Sequence, residues 1–354
     1  MTIYLLYVAS PILVAVILSM MTTMPITQTE KWRKTYLIVC GIIMFLMIGL
    51  RHSGLGSDDT QFYVNLYEVF GTKTLSQTFS MELDMEPGYL LCSWILSHVF
   101  SDGQWLLVFS GLFFSITVCR FVYKNCKNMP LALLAFNALG LFNFMVQGLR
   151  QAIAMCICLW ALEQIKKKRT LASFLLVALA TTFHASAIVF AVLYLISKLK
   201  ITLRGLFVFS VLSSLAISFL PNLFVLINRF MNDSYAIGDS ALSGGVVAIL
   251  IDLVIIVFGL VYIDTDDPHY PMFLYMAVLT GICMIMRNTV NGIIERVADY
   301  FAFGQMVIFA NGSHAIRNPN VKVFINYAAG LLLLGVAVYK ATYSSLVPYV
   351  FFWQ

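Results

Sequence analysis

Four arginines stand at the ends of long apolar runs that are far apart in the sequence. They are Arg51, Arg150, Arg287 and Arg296. A guanidinium group is permanently charged and can bind two oxygens of one phosphate at once. A crevice that collects several of these groups therefore suits a diphosphate. The alternative is that each arginine extends its charge to a water-facing surface or forms an internal ion pair.

Several acids and one histidine could supply proton transfer beside such a diphosphate. His184 is our first choice for a general base, because the unperturbed pKa of histidine, about 6.5, suits proton transfer near neutrality. The alternative for His184 is a polar turn residue with only local hydrogen bonds. Four acids compete for the same role or would only orient an arginine: Asp58, Asp59, Glu86 and Glu295.

The composition indicates that these residues belong to an integral membrane protein. Hydrophobic residues make up 60% of the 354-residue chain and charged residues only 11%, whereas a soluble globular domain has about 25% charged residues. The seven cysteines lie mostly in apolar runs and form no C-x-x-C pair, so we expect neither a disulfide framework nor a metal site. We expect no cofactor, and the net charge of +5 needs no nucleic acid to explain it.

We predict an all-α integral membrane protein whose residues 1–354 form a single polytopic domain. Apolar runs of about 20 residues suit membrane-spanning helices, and we count about 12 (±2) of them. The spans are placed at 3–22, 35–50, 105–122, 130–147, 151–165, 170–183, 184–198, 205–221, 244–262, 270–288, 296–313 and 321–340. The two short spans on either side of His184 are expected to form a hairpin with this residue near its tip.

Basic residues orient this map, because the cytoplasmic loops of membrane proteins collect lysine and arginine. With Arg120, five basic loops hold 15 of the 22 Lys and Arg residues; the loops are 30–34, 123–127, 166–169, 197–204 and 317–322. They share one side only if the segment 88–101 does not cross. We therefore expect this segment to be re-entrant or interfacial, and both chain termini to lie outside.

The same map brings the four arginines to one level on the side where orientation signals do not belong. The outer loop 51–104 is expected to contribute acids to a site at this level. A polyprenyl-diphosphate sugar lipid is the obvious membrane-borne diphosphate there. Tyr63, Tyr89 and Tyr300 could stack on its sugar rings, although aromatic residues also collect at membrane interfaces.

Five short motifs follow one another along the chain in the pattern of a known family. They are R-x(6)-D-D-T-x-x-Y at 51–63, E-P-G-Y at 86–89, G-L-R-Q at 148–151, H-A-S-A at 184–187 and E-R-x-x-D-Y-F at 295–301. Together they resemble the EpsG-type branch of Wzy-like polysaccharide polymerases from about residue 35 to 302. In the first motif, either Asp58 or Asp59 matches the family's acid.

The resemblance implies a GT-C-like, metal-independent glycosyltransferase of the bacterial cytoplasmic membrane, with its active site facing away from the cytoplasm. It implies transfer of a growing exopolysaccharide, capsule or O-antigen chain from polyprenyl diphosphate onto a lipid-linked repeat unit. Gln151 and Asp299 lie in matching motifs and are expected to contact substrate. The implied partners are the polyprenyl-diphosphate-linked oligosaccharide, the lipid bilayer, and a chain-length regulator and flippase.

Fixed arginines can stabilise the leaving diphosphate in a low-dielectric site, where charge counts most. We expect Arg51, Arg150 and Arg296 to hold it, with Arg287 as a weaker fourth. A ligase acting on the same lipid donor would need the same residues. A lipid-linked oligosaccharide flippase or transporter would instead spread ionisable residues through the membrane depth. Here they cluster at the outer end, apart from Asp252 and a few others.

One acidic run resembles a motif of a different class of enzyme. The sequence D-T-D-D at 264–267 resembles the acidic metal motif of soluble sugar-nucleotide enzymes. It falls in a predicted cytoplasmic loop, away from the other motifs, and we therefore interpret it as a solvated loop.

Overall fold

The computed structural model describes residues 1–21, 29–56, 58–231, 245–287 and 293–354. These ranges contain helices and turns but no β-strand, and one isolated bridge pairs Arg51 with Phe351. The first ten helices are α1 (Thr2–Met20), α2 (Glu30–Gly49), α3 (Asp58–Phe70), α4 (Leu75–Phe79), α5 (Pro87–Val99), α6 (Gln104–Asn125), α7 (Met129–Ala138), α8 (Leu141–Gln147), α9 (Leu149–Lys166) and α10 (Thr170–Thr181).

The second half of the chain begins with a 3-10 segment, Ala185–Val192, and a further 3-10 turn, Ser313–Ala315, precedes the last helix. The remaining helices are α11 (Leu193–Ile196), α12 (Leu203–Met231), α13 (Gly245–Val261), α14 (Tyr270–Met286), α15 (Ile293–Gly312) and α16 (Pro319–Thr342).

The chain divides into two compact units. The first unit contains residues 1–188 and 318–354, and the second contains 189–317. The single polytopic domain expected from the sequence stays a prediction.

Among the described residues, four helices are long and apolar enough to cross a membrane: α1, α2, α6 and α16. The pair α7 and α8, bent by 56°, would add a fifth if it forms one broken span. Several other predicted spans coincide with shorter apolar helices, such as α10 and α14. The described residues thus support a helical membrane protein, whereas the count of about 12 spans and the GT-C-like arrangement stay predictions.

Glycine explains why the predicted span 130–147 is broken. Gly140 has φ +87°, a left-handed conformation that an L side chain rarely adopts and that commonly ends a helix. It separates α7 from α8. Gly148 then separates α8 from α9, with φ −97° and ψ 60° outside the helical region.

Two asparagines begin helices of the first unit by accepting a backbone hydrogen bond. Asn128 accepts from Leu131 N at 3.2 Å before α7, and Asn318 accepts from Val321 N at 3.3 Å before α16. Pro319 fills the first position of α16, where a missing N–H costs nothing.

Helices α6 and α9 run parallel in the first unit. Near their carboxyl ends, Asn125 Nδ2 donates to Glu163 Oε1 at 3.0 Å, and Trp160 Nε1 donates to Thr117 Oγ1 at 3.2 Å. Helix α10 packs back along α9 after the turn at 167–169. The beginnings of α6 and α9 and the end of α10 therefore lie at one end of this group, which we call the Arg150 end.

Both ends of α5 lie at the Arg150 end. Glu86, the residue before α5, is paired with Arg150 at the beginning of α9. After α5 ends at Val99, α6 begins only five residues later, at Gln104. Helix α5 therefore leaves and returns at the same end of the α6–α9 pair, as a segment that does not cross would.

The carboxyl-terminal tail pairs with the chain that follows α2. His52 N donates to Val350 O and Phe352 N donates to Leu50 O, each at 3.0 Å. Tyr349 is buried and donates its hydroxyl to Met47 O at 2.7 Å. These bonds hold the tail over the region around Arg51.

In the second unit, α14 packs against α13 and α15. Gly304 allows a close approach of α15 to α14, because a Cβ there would lie 2.7 Å from Phe273 O. The acidic run 264–267 lies in the turn between α13 and α14, but Asp264 is buried, so the run is not wholly solvated as we expected. Asp264 and Asp267 accept hydrogen bonds from the backbone of Asp266 and His269, so these two acids shape the turn.

Candidate functional site

A buried ion pair joins two of the predicted site residues. Arg150 Nη1 lies 2.5 Å from Glu86 Oε2, and both side chains are only slightly exposed, at 13% and 11%. The same guanidinium donates through Nε to Tyr63 Oη at 3.0 Å and through Nη1 to Asp84 O at 3.1 Å. Arg150 is therefore held in a defined orientation by three residues of the segment 51–104.

The second oxygen of the same carboxylate contacts His184. Glu86 Oε1 lies 3.0 Å from His184 Nδ1 and accepts a further bond from Ala185 N at 2.9 Å. Because an ionised carboxylate can only accept, the proton of this bond belongs to Nδ1. In the described part of the chain, no hydrogen bond occupies His184 Nε2. We call Tyr63, Glu86, Arg150 and His184 the Glu86 cluster.

The partners of Glu86 keep its carboxyl group ionised. Burial alone would raise its pKa, but the hydrogen bond from His184 and the charge of Arg150 outweigh burial and lower the pKa to about 2. A carboxylate with this pKa is a poor proton acceptor near neutrality. Glu86 was one of the candidate bases, and its geometry instead suits it to orienting Arg150 and His184.

The E-P-G-Y motif at 86–89 explains how Glu86 reaches His184. Pro87 takes the first position of α5, where its ring favours a helical start. Gly88 N donates to Thr182 O at 2.7 Å, just after α10. A Cβ at Gly88 would lie 2.7 Å from Thr182 O, closer than real Cβ contacts allow. Only glycine therefore lets α5 begin close enough to Thr182 for Glu86 to meet His184.

Arg150 occupies the first turn of α9, one position after Leu149. The amino end of a helix carries partial positive charge, so an arginine there is unfavourable without an anion nearby. Glu86 supplies that anion. Gly148 precedes the helix, and a Cβ in its place would lie 2.8 Å from the Phe144 ring. In the G-L-R motif, Gly148 thus allows the close approach to Phe144, and Arg150 supplies the charge at the beginning of α9.

Tyr63 of the cluster packs against a second tyrosine, Tyr89. Their ring centroids are 5.5 Å apart in an edge-on arrangement, and Arg150 Cζ lies 5.6 Å from the Tyr63 ring centroid. Both side chains are buried. In this conformation the rings contact protein, so their stacking on sugars stays a prediction.

Arg51 has different partners from those we expected. Its side chain is fully buried, and it donates through Nη1 to Ile48 O at 2.6 Å and through Nη2 to Val146 O at 2.9 Å. Burial lowers its pKa to about 10, which still leaves it charged near neutrality. Arg51 therefore ties the end of α2 to the end of α8, just before the turn that presents Arg150.

The remaining candidates of the first unit lie near these residues. Asp59 is exposed in the first turn of α3, four residues before Tyr63, so both lie on one face of that helix. Gln151 is buried in the first turn of α9. The Asp58 side chain lies outside the described residues.

The candidates of the second unit surround the beginning of α15. Arg287 Nη1 lies 3.0 Å from Glu295 Oε1, so these two predicted residues form an ion pair. Arg296 is exposed, Asp299 is half-buried and Tyr300 is buried. The Tyr300 ring centroid lies 6.5 Å from that of Phe190, which places Tyr300 in the core. A shared diphosphate for all four arginines stays a prediction.

Sequence reasoning missed the backbone groups that complete the cluster. Asp84 O, Thr182 O and Ala185 N each contact a cluster residue or the motif beside it. The only sequence signal for them was the glycine of the E-P-G-Y motif, since a glycine one residue into a helix indicates a close approach. Among the described residues, no group of three or more His, Cys, Asp or Glu side chains could hold a metal ion.

The family comparison covers nearly all of the chain. The model of the EpsG family matches residues 34–351. The chain belongs to the EpsG family. This is a family of Wzy-like polymerases, and the resemblance found from the five motifs is confirmed. The comparisons with curated proteins and with solved structures gave no match.

The EpsG match includes every residue of the Glu86 cluster. It also extends to 351 and so contains Tyr349 and most of the tail that pairs with the chain around Arg51. The matched region thus holds both the cluster and the elements that position it.

Proposed function

We propose that this EpsG-family protein is a membrane glycosyltransferase that elongates a polysaccharide on a polyprenyl diphosphate carrier. One observation carries the proposal. The Glu86 carboxylate holds a cation, Arg150, on one oxygen and a candidate base, His184, on the other. A cation for a leaving phosphate and a base for an attacking hydroxyl are thus fixed beside each other.

In the proposed reaction, the donor is the growing glycan on its polyprenyl diphosphate. A hydroxyl of the next lipid-linked repeat unit attacks the anomeric carbon of the donor. A new glycosidic C–O bond forms, and the bond between the anomeric carbon and the diphosphate oxygen breaks. The hydroxyl proton passes to His184 Nε2, and the leaving polyprenyl diphosphate keeps the electron pair.

Each residue of the cluster has a separate task in this scheme. Arg150 stabilises the negative charge that develops on the leaving diphosphate, in a site where preorganised charge is most effective. Glu86 keeps the Nδ1 proton of His184 in place and stabilises the imidazolium that forms, as the carboxylate does in serine hydrolases. Arg51 is a positioning residue for Arg150. Arg287 and Arg296 are proposed as further diphosphate ligands on sequence grounds.

We further propose that the cluster faces away from the cytoplasm, in the bacterial cytoplasmic membrane. Helix α9 supports this orientation, since Arg150 is in its first turn and the basic run 166–169 is at its other end. Basic loops mark the cytoplasmic side. In this orientation the cluster would meet lipid-linked units delivered by a flippase.

The decisive experiment uses purified protein in liposomes with a polyprenyl-diphosphate-linked repeat unit, with and without a chelator. The expected product is a longer glycan that stays on the diphosphate lipid, in both conditions. A His184→Asn variant is expected to lose at least about 100-fold in rate, the usual size of general-base catalysis. His98→Asn, on an exposed side chain of α5, is the matched control and should keep full activity.

The same experiment separates the rival functions. A ligase would release the glycan from the diphosphate lipid onto another acceptor. A flippase would move the lipid across the bilayer without changing its glycan. The absence of lengthening by the wild-type protein under every condition would overturn the polymerase proposal.

A further inference from the structure

The first unit contains an apolar cavity of about 540 Å³, and one of its lining residues, Tyr89, contacts Tyr63 of the Glu86 cluster. Its walls come from α5, α6, α9 and α10. This volume lies in the usual range of small-molecule sites, about 300–1,000 Å³. Almost all of the lining side chains are apolar, so a bare sugar would leave its hydroxyls without partners there. The cavity therefore suits an apolar group.

The α9 wall leads directly to the cation of the cluster. Ile153, Ile157 and Trp160 line the cavity at spacings of four and three residues, which places them on one face of the helix. Arg150 precedes Ile153 by three residues and thus stands at the head of the same stripe.

Two more walls end at the cluster in the same way. On α5, Tyr89 lines the cavity and follows Glu86 by three residues. Two residues after α10 ends, Phe183 lines the cavity and is followed directly by His184. Three of the four walls therefore have an ionisable cluster residue at one end or directly beside it.

The deep end of the α9 stripe is held in place. Ten residues separate Arg150 from Trp160, about 15 Å along a helix, or half of a hydrocarbon core of about 30 Å. The Trp160 ring donates to Thr117 at 3.2 Å, and Arg120 Cζ lies 3.7 Å from its ring centroid. The cavity thus keeps its depth through contacts that do not involve the cluster.

We propose that this cavity binds the first isoprene units of the polyprenyl carrier while its diphosphate lies at the Glu86 cluster. The inference rests on the proposed function and extends it to the lipid part of the donor. The occupant must carry an anionic head at the cluster and an apolar chain that continues from it. The negative charge of the diphosphate complements the positive charge of Arg150. The methyl-branched isoprenoid chain fills the apolar cavity.

A cavity-filling substitution tests this placement. Leu176 lines the cavity on α10, seven residues or about 10 Å from Phe183. Leu175 is its neighbour but is 61% exposed and does not line the cavity. The two variants are Leu176→Trp and, as the matched control, Leu175→Trp. Each is assayed with repeat units on a long polyprenyl chain and on a single isoprene unit.

Leu176→Trp is expected to raise the KM for the long-chain donor at least tenfold, while kcat stays within twofold of wild type. The short-chain donor does not reach Leu176, so its KM should not change. Leu175→Trp should match wild type with both donors. An unchanged KM for the long-chain donor, or an equal rise with both donors, would overturn the proposal. Loss of lengthening by the wild-type protein would instead overturn the proposed function.

A second measurement uses the wild-type protein and so does not depend on the folding of a variant. A polyprenyl diphosphate with a benzophenone on its third isoprene unit is irradiated with the wild-type protein. Adducts are expected on peptides of α9 and α10 that line the cavity, and unlabelled polyprenyl diphosphate should prevent them. Adducts confined to other helices would overturn the proposal. Equal protection by phosphatidylglycerol would also overturn it, because the cavity would then bind ordinary phospholipid.

Discussion

Gly88 donates its backbone N–H to Thr182 O at 2.7 Å, which brings the beginning of α5 against the end of α10. This contact carries no charge and involves no side chain of the cluster. It nevertheless decides whether Glu86, two residues before Gly88, can meet His184, two residues after Thr182.

Substitution of Gly88 by alanine should therefore disturb the cluster. The added Cβ would lie 2.7 Å from Thr182 O, and backbone cannot move as cheaply as a side chain. We expect a cost of about 1–3 kcal/mol and at least a tenfold loss of polymerisation rate, measured in the liposome assay. Gly330→Ala on α16 is the control, since no atom lies within 4 Å of its Cβ. Equal activities of the two variants would show that this close approach is unimportant.

Glu86→Gln tests the acid-dependent stability that the ionised carboxylate supplies. The pKa of Glu86 is lowered from 4.5 to about 2, so its contribution is complete above pH 4.5 and is lost as the pH falls through about 2. The shift corresponds to the order of 3 kcal/mol. Wild type should unfold at a higher temperature than Glu86→Gln at pH 7, and the difference should shrink between pH 4.5 and 2.

The measurement is the thermal unfolding temperature in detergent across this pH range. Glu82→Gln is the matched control, because Glu82 is an exposed acid only four residues before Glu86. A constant difference between wild type and Glu86→Gln down to pH 2 would contradict an ionised, paired Glu86.

Arg150→Lys should separate charge from hydrogen-bond geometry. Lysine keeps the positive charge but cannot present the planar fork that contacts Tyr63, Glu86 and Asp84 O. We expect at least a tenfold fall in polymerisation rate with little change in the unfolding temperature. Arg204→Lys, at an exposed arginine, should keep its activity. Full polymer output from Arg150→Lys would exclude a role for the guanidinium fork.

Arg51→Lys should reduce stability, whereas Arg150→Lys should mainly reduce the polymerisation rate. The buried Arg51 guanidinium holds two backbone carbonyls, and hydrogen bonds to charged groups contribute about 1.5–3 kcal/mol each. We expect a lower unfolding temperature, with activity lost in proportion to the folded fraction. If stability were unchanged and only the KM for the lipid donor rose, Arg51 would be a diphosphate ligand, as the sequence alone suggested.

The sequence by itself determined the class of protein and the main members of the cluster. An 11% share of charged residues among 60% hydrophobic ones leaves few ways to fold outside a membrane. Glu86, Arg150 and His184 could be named in advance, because an ionisable residue at the end of an apolar run is costly without a purpose. These inferences depend on residue type and local spacing, which a sequence contains completely.

Only the tertiary structure decided which of those residues form pairs and which are buried. Arg51 and Arg150 look alike in sequence, yet Arg51 is buried against Val146 O and Arg150 is paired with Glu86. The partners are separated by 95 and 64 residues along the chain. Burial and pairing at such separations depend on how helices pack, and packing is set by close approaches such as that of Gly88 to Thr182. No local pattern contains that information, because it arises only when distant segments share one volume.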